Sequence, residues 1–283
     1  MHHVNDYCNI RRLTFEEVEL LLDWARKEGW NPGLADATAF YNADPAGFIG
    51  CFSDDRLVAG ISAVRYTGNF GFIGLYICLE NYRGRGFGKR VWDAGMHLLT
   101  GRIVGLDGVP EQQENYARKG FVEAYKTIRW SGRIDLLRPS TEACSSISPQ
   151  MVREIVAYDA QKFPCGREAF LGAWLQPPRQ AIAVEHDGAI TGYAVVRRCH
   201  HGCKIGPLFA DSLEDAEWLL NACVNLAPNE TLHVDVPEMQ TAFSRILEGH
   251  GMAPSFATAR MYKNGKPRLD TNGVFALTTL ELG

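Results

Sequence analysis

The chain repeats itself. Set CFSDDRLVAGISAVR (Cys51 to Arg65) above AVEHDGAITGYAVVR (Ala183 to Arg197) without gaps, and Asp55 falls on Asp187, Gly60 on Gly192, Val64 on Val196 and Arg65 on Arg197. The same offset of 132 carries Ile73-Gly74 onto Ile205-Gly206. One such match is within reach of chance, but a common offset across several points to duplication. Each copy reads as a hairpin, an alternating strand and its return joined by a turn that contains aspartate. With 283 residues the chain also exceeds the usual span of one hydrophobic core, so two α/β domains are expected. The Ser/Pro-rich stretch RPSTEACSSISP (Arg138 to Pro149) is the natural linker, which divides the chain into 1–138 and 139–283.

Hydrophobic residues make up 46% of the chain and charged ones 22%, enough apolar material for sizeable cores and too little charge for disorder. No apolar run approaches the roughly 20 residues of a membrane span, and MHHVNDYCNI lacks a secretory layout. A net charge of −4 offers no general attraction to nucleic acid or an anionic membrane. Eight cysteines without framework spacing suit reduced thiols, and a cytoplasmic address is expected. CHHGC (Cys199 to Cys203) is dense in metal-binding side chains, yet adjacent histidines rarely share one tetrahedral ion and no second pair accompanies them. It reads as a polar hairpin tip, and no metal is expected.

The chemistry concentrates around YRGRGFGKR (Tyr82 to Arg90). Upstream, NFGFIGLYICL (Asn69 to Leu79) is a near-continuous apolar run suited to a buried strand. Downstream, Val91, Trp92, Gly95, Leu98 and Leu99 recur at helical spacing. The glycines therefore lie at a strand-to-helix turn, where unpaired helical N–H groups and the positive end of the macrodipole attract an anion. Glycine lets phosphate oxygens approach the backbone. The pattern GxxxxGK[ST] is absent, because Lys89 precedes Arg90, and GxGxxG fails on the spacing Gly84-x-Gly86-x-Gly88. What remains is RxxGxG, with Arg83, Gly86 and Gly88. Further on, Pro110 opens a helix that ends in YARKGF (Tyr116 to Phe121).

RxxGxG between a buried strand and a helix, followed by a YxxxGF element, resembles the GNAT superfamily of acetyl-CoA-dependent N-acetyltransferases. The resemblance covers about residues 5 to 138; Glu80 departs from it, standing where many members carry proline. It implies an α/β (α+β) fold of two GNAT-like domains, each a mixed, mostly antiparallel central sheet flanked by helices. It implies acetyl-CoA as co-substrate: backbone groups of Tyr76, Ile77 and Cys78 pairing with the pantetheine amides, and N–H groups of Gly84, Arg85, Gly86, Phe87, Gly88 and Lys89 cradling the pyrophosphate beside Arg83. A backbone N–H near Cys78 would steady the oxyanion, and Tyr116 would protonate the departing thiolate. Cys78 as an acylated nucleophile is the rarer alternative to a small apolar filler. Asp107 is the best-placed general base by sequence, although it could equally cap the Gly108-Pro110 turn. The GWNPG turn offers Trp30 and Asn31 as acceptor-binding residues, or a packed loop.

In the second copy, the offset of 132 lays YRGRGFG on EDAEWLL (Glu214 to Leu220), which replaces every glycine and sets Glu214, Asp215 and Glu217 against a pyrophosphate. EGHGM (Glu248 to Met252) echoes RKGF after a one-residue shift, with Leu247 in place of the tyrosine. The second domain is thus expected to be a degenerate copy that supports the fold and shapes the acceptor pocket, with Tyr158 to Phe170 in the place of the acceptor loop. The expected protein is a monomeric or homodimeric N-acetyltransferase acting on a primary amine of a small molecule or peptide. The alternative is a non-catalytic acyl-CoA-binding module with a partner-binding second domain.

Overall fold

The computed structural model describes residues 8–135, 144–269 and 271–283. The first half runs β1 (Asn9–Arg12), α1 (Phe15–Lys27), α2 (Asp36–Ala43), β2 (Phe48–Ser53), β3 (Arg56–Arg65), β4 (Phe70–Cys78), α3 (Phe87–Leu98), β5 (Ile103–Gly108), α4 (Pro110–Arg118) and β6 (Val122–Gly132). The second repeats that order as β7 (Cys144–Ser146), α5 (Val152–Lys162), α6 (Glu168–Trp174), β8 (Gln180–His186), β9 (Ala189–Arg198), β10 (Cys203–Ala210), α7 (Leu213–Leu226), β11 (Leu232–Pro237), α8 (Thr241–Gly249) and β12 (Ala253–Lys263). A short β13 (Val274–Ala276) has no counterpart in the first half. Of the expected linker, residues 138–143 lie outside the described residues, while Cys144–Ser146 is a strand paired with β8.

The halves do not sit side by side as two closed sheets. One sheet runs through both in the order β1-β2-β3-β4-β5-β12-β6-β11-β10-β9-β8-β7. The last strand of each half is exchanged: β12 pairs β5, and β6 pairs β11. Helices follow suit, since Phe40 of α2 stacks on Trp174 of α6 with centroids 6.2 Å apart. A buried ion pair, Arg129 of β6 with Asp235 of β11, bridges the exchange with two bonds of 2.7 and 2.8 Å. Burial alone would raise the Asp235 pKa, but the Arg129 charge and its hydrogen bonds hold it at about 2.

One cysteine expectation fails. Cys8 and Cys51 form a disulfide from the entry of β1 to β2, because the antiparallel β1–β2 register brings these chain-distant residues together; six cysteines remain free. Among the described residues no helix is long and apolar enough to cross a membrane.

The two halves differ at the cleft each could form. In both, the parallel strand pair ends early: β4 follows β5 only from Phe70↔Ile103 to Ile73↔Leu106, and β10 follows β11 only from Cys203↔Leu232 to Ile205↔Val234. The first splay stays open. The second is closed by the chain's own β13, which pairs β10 at Leu208↔Ala276 and Phe209↔Val274, while the Leu277 N–H donates to the Asp235 carbonyl at 2.9 Å. The turn has changed too. Eight residues separate β4 from α3 but only two separate β10 from α7, so Glu214, Asp215 and Glu217 lie in the first turns of α7 and not in a loop; the gapless alignment missed a deletion. There Ser212 caps the helix by accepting the Asp215 N–H at 3.0 Å. A helix start with a side-chain cap and a splay filled by the chain's own strand remove from this half the features that suit a nucleotide. Titration with acetyl-CoA should therefore give one equivalent per chain, and a second equivalent of similar affinity would overturn this reading of the closed cleft.

Candidate active site

In the first half, a break in the ladder opens the site. The β3–β4 register passes from Ser62↔Gly74 to Gly60↔Ile77, leaving Leu75 and Tyr76 opposite Ile61 alone, and Leu75 is held at φ +47°. A leucine at positive φ is uncommon, and such strain tends to persist where surrounding structure and function require it. The bulge turns β4 away from β5 and opens a cavity of about 610 Å³.

At one end of the cleft stands the glycine turn. Gly84 (φ +76°) and Gly86 (φ +88°) take conformations that side chains disfavour, and Gly86 is the N-cap of α3. No side chain caps this helix, in contrast to the Thr14 capping box of α1. Phe87 is fully buried, so only its backbone faces outward chemistry. A Cβ on Gly88 would stand 3.0 Å from the Tyr76 hydroxyl, so the glycine lets β4 and α3 approach. Arg85 lies 5.2 Å from the rings of both Tyr82 and Phe87, and Lys89 pairs with Asp93 at 2.5 Å. Arg83 acts as a brace, with its Nε donating to the Cys78 carbonyl at 2.9 Å and Nη2 to Glu28 at 2.6 Å. That fixes the end of β4 beneath the loop.

A Cβ at Gly86 would meet nothing within 4 Å, so a side chain there fits sterically but strains the backbone and shadows the helix N-terminus. Gly86→Val should fold at a cost of about 1–2 kcal/mol and bind acetyl-CoA at least about tenfold more weakly, the loss of roughly one charge-assisted hydrogen bond. Calorimetry showing undiminished affinity in the folded variant would remove α3 from the binding site.

Tyr116 lines the cavity from α4. Its ring stacks on Trp92 at 5.4 Å and 21°, and Trp92 meets Tyr76 edge-on at 5.3 Å. Burial, with the neighbouring Tyr76, pushes the Tyr116 pKa well up, and burial raises Tyr76 to about 12. Both phenols keep their protons at neutral pH. The same helix end recurs in the second half, where Met252 N–H bonds the Leu247 carbonyl as Phe121 N–H bonds that of Tyr116, so Leu247 is the counterpart of Tyr116.

Asp107 and Asn31 have other partners. Asp107 borders the cavity, but both its oxygens accept from Arg260 of β12 at 2.8 Å, and its side chain is fully buried. Burial alone would lower the Arg260 pKa; the Asp107 charge more than reverses it. A carboxylate so engaged anchors the strand exchange. Trp30 does line the cavity, its carbonyl held by Lys204 at 3.0 Å. Asn31 does not: its amide exchanges two bonds with the His201 backbone, at 2.9 and 3.0 Å, so the CHHGC tip docks on it. Residues 158–170 stay out of the cavity and clamp the C-terminus instead, Arg167 pairing with Asp159 and donating to Thr278 Oγ1 at 2.7 Å.

Part of the cavity wall comes from the second half, through Phe256 and Thr258 of β12 and through Leu280 and Glu281 of the C-terminal segment. Motif reading had no access to these residues, because strand exchange and a long return bring them there. One signal existed. Gly74 and Gly206, matched by the repeat, are the two points where the tail crosses the sheet: a Cβ would lie 2.4 Å from the Leu277 oxygen at Gly206 and 1.9 Å from the Glu281 oxygen at Gly74.

A parallel splay, a strained bulge, a glycine turn onto an uncapped helix and a buried tyrosine at the cleft define a GNAT acyltransferase, and the chain belongs to that family. Residues 6–121 match the model of the acetyltransferase (GNAT) family and residues 155–276 that of an acetyltransferase (GNAT) domain. The chain is 31% identical over 273 residues to a holothin acyltransferase of Pseudoalteromonas sp. (strain SANK 73390), covering 95% of this chain and 92% of that one. Its fold is similar to that of a Pyrococcus horikoshii protein described as a candidate acetyltransferase (TM-score 0.82, 20% identity, 100% and 99% of the two chains). It is also similar to a tandem GNAT protein from the clavulanic acid biosynthesis pathway (TM-score 0.62, 13% identity, 90% and 98%).

Proposed function

We propose that the protein transfers an acetyl group from acetyl-CoA directly to a primary amine of a small molecule. The observation that carries this is the open β4–β5 splay with a helix N-terminus bare of side-chain caps at one end and Tyr116 within it. The residues fit the donor. The first-turn N–H groups of α3, which its glycine N-cap leaves without a side-chain cap, suit a pyrophosphate, and the freed edge of β4 at Leu75 to Ile77 suits the amides of a pantetheine arm. Amides released at the bulge would steady the developing oxyanion. Tyr116 holds a proton to give to the sulfur; a thiolate leaving into the same desolvated cleft is raised in basicity along with the phenol, which keeps the transfer feasible. Residues 1–138 supply the donor site, and 139–283 complete the acceptor wall.

The likeness to a protein named for acylating holothin favours a small acceptor over a peptide. An aromatic-lined cavity of about 610 Å³, with Trp30 and Phe256, agrees with that preference. The reading carries with it a monomer or homodimer in the cytoplasm, where acyl-CoA is supplied, with no role for metal, membrane or nucleic acid. The test is release of CoA thiol from acetyl-CoA across a panel of amines. Amine-dependent release is expected. Tight acetyl-CoA binding with no release for any amine would leave the non-catalytic binding module standing.

A further inference from the structure

Glu281 is an expensive residue. It is 4% exposed, it borders the cavity, and its Oε2 is buried without a hydrogen-bond partner. A buried carboxylate oxygen without a hydrogen bond is costly, which suits a ligand that completes it. Two cations feel its charge without donating to it: Arg129 is bound through two nitrogens to Asp235, and Lys204 donates to the Trp30 carbonyl. Asp107, the other carboxylate that shares its surroundings, is bound by Arg260.

Its position is built with care. The Glu281 carbonyl lies against Gly74, next to the strained Leu75, and accepts from Ser62 Oγ at 3.4 Å. The following Leu282 carbonyl accepts from Tyr66 at 2.8 Å, and Thr279 Oγ1 holds the Leu282 N–H at 2.9 Å. Upstream, Thr278 is fixed by Arg167 and Arg197. A segment tied at nearly every residue does not wander: it fixes the Glu281 backbone against the bulge and leaves the side chain on the cavity wall.

We infer that Glu281, carried by the C-terminal tail across from the closed cleft of the second half, receives the acceptor as an ammonium ion and takes its proton. This rests on the acyl-transfer reading above. The ammonium gives one proton to the Glu281 carboxylate and becomes a neutral amine. Its nitrogen bonds to the acyl carbon while the carbon–sulfur bond breaks, and the thiolate takes the Tyr116 phenol proton. The second proton shed by the new amide nitrogen restores the phenol, and Glu281 returns the first to solvent. The balance is one amide, one thiol and one proton for each ammonium and thioester. The acceptor class that follows is a basic amine on an apolar or aromatic frame, cationic in solution.

The test pairs Glu281→Gln with two acceptors: 2-phenylethylamine, protonated at neutral pH, and aniline, already neutral there. For the variant, kcat/KM with 2-phenylethylamine should fall by about 100-fold or more, the scale of a lost general base, and with aniline by less than about fivefold. Acetyl-CoA affinity should be kept, and Tm should stay within about 2 °C of wild type. Equal losses with both acceptors, or a Tm lower by about 5 °C or more, would make Glu281 a structural residue. Undiminished turnover with 2-phenylethylamine would overturn its role outright. Wild-type protein that releases no thiol with any amine would instead sink the acyl-transfer reading, and this inference with it.

Discussion

Tyr116→Phe should bind acetyl-CoA as wild type does and turn over about 100-fold more slowly or worse, the usual scale for losing a general acid. The two properties separate because the substitution removes one oxygen and leaves the ring. Stacking on Trp92 and the edge contact with Phe121, at 5.4 and 6.2 Å, depend on the ring, so the cleft keeps its shape. The other phenol in contact with Trp92, Tyr76, meets the indole edge-on and has its hydroxyl beside Gly88. Burial raises the Tyr116 pKa, and the sign matters: the acid form persists through and above the ordinary tyrosine range, so this group should add no alkaline limb to the wild-type rate profile below about pH 10. Unchanged kcat in the phenylalanine variant at saturating amine would mean that water or another group protonates the thiolate.

How much of this was legible beforehand depends on the distance over which each feature is encoded. The glycine turn and the duplication are local patterns, and local patterns survive translation into structure: Gly84 and Gly86 do take positive φ, and the element order repeats. Misplacements came from partners far away in the chain. Asp107 sits at the carboxyl end of a strand as a base would, but its character is decided by Arg260, 153 residues on. Asn31 looks like an acceptor ligand until His201 takes its amide. Glu281 carries no motif at all. Only the strand exchange, and a tail that leaves one cleft for the other, give that carboxylate a site.

The tail's route through the sheet makes Gly74 the most consequential glycine in the molecule. Its Cβ position lies 1.9 Å from the Glu281 oxygen and 2.7 Å from the Glu281 carbonyl carbon. Both are backbone atoms, so no side-chain rotation relieves the clash, unlike at Gly60, where the flexible Leu21 side chain is the obstacle. Gly74→Ala must therefore push the tail outward by an ångström or more, at a stability cost of about 1–3 kcal/mol for overpacking. The Ser62 and Tyr66 bonds to the tail would lengthen with it. Displacement of that size in a group that meets the reacting nitrogen is enough for about a 100-fold loss of turnover. The donor turn, built wholly from β4, α3 and the loop between, should be spared. Gly74→Ala is thus expected to keep its acetyl-CoA affinity while losing acetylation of an ammonium-type acceptor. A variant that loses donor affinity and turnover together would show instead that Gly74 acts through the bulge, with the tail a bystander.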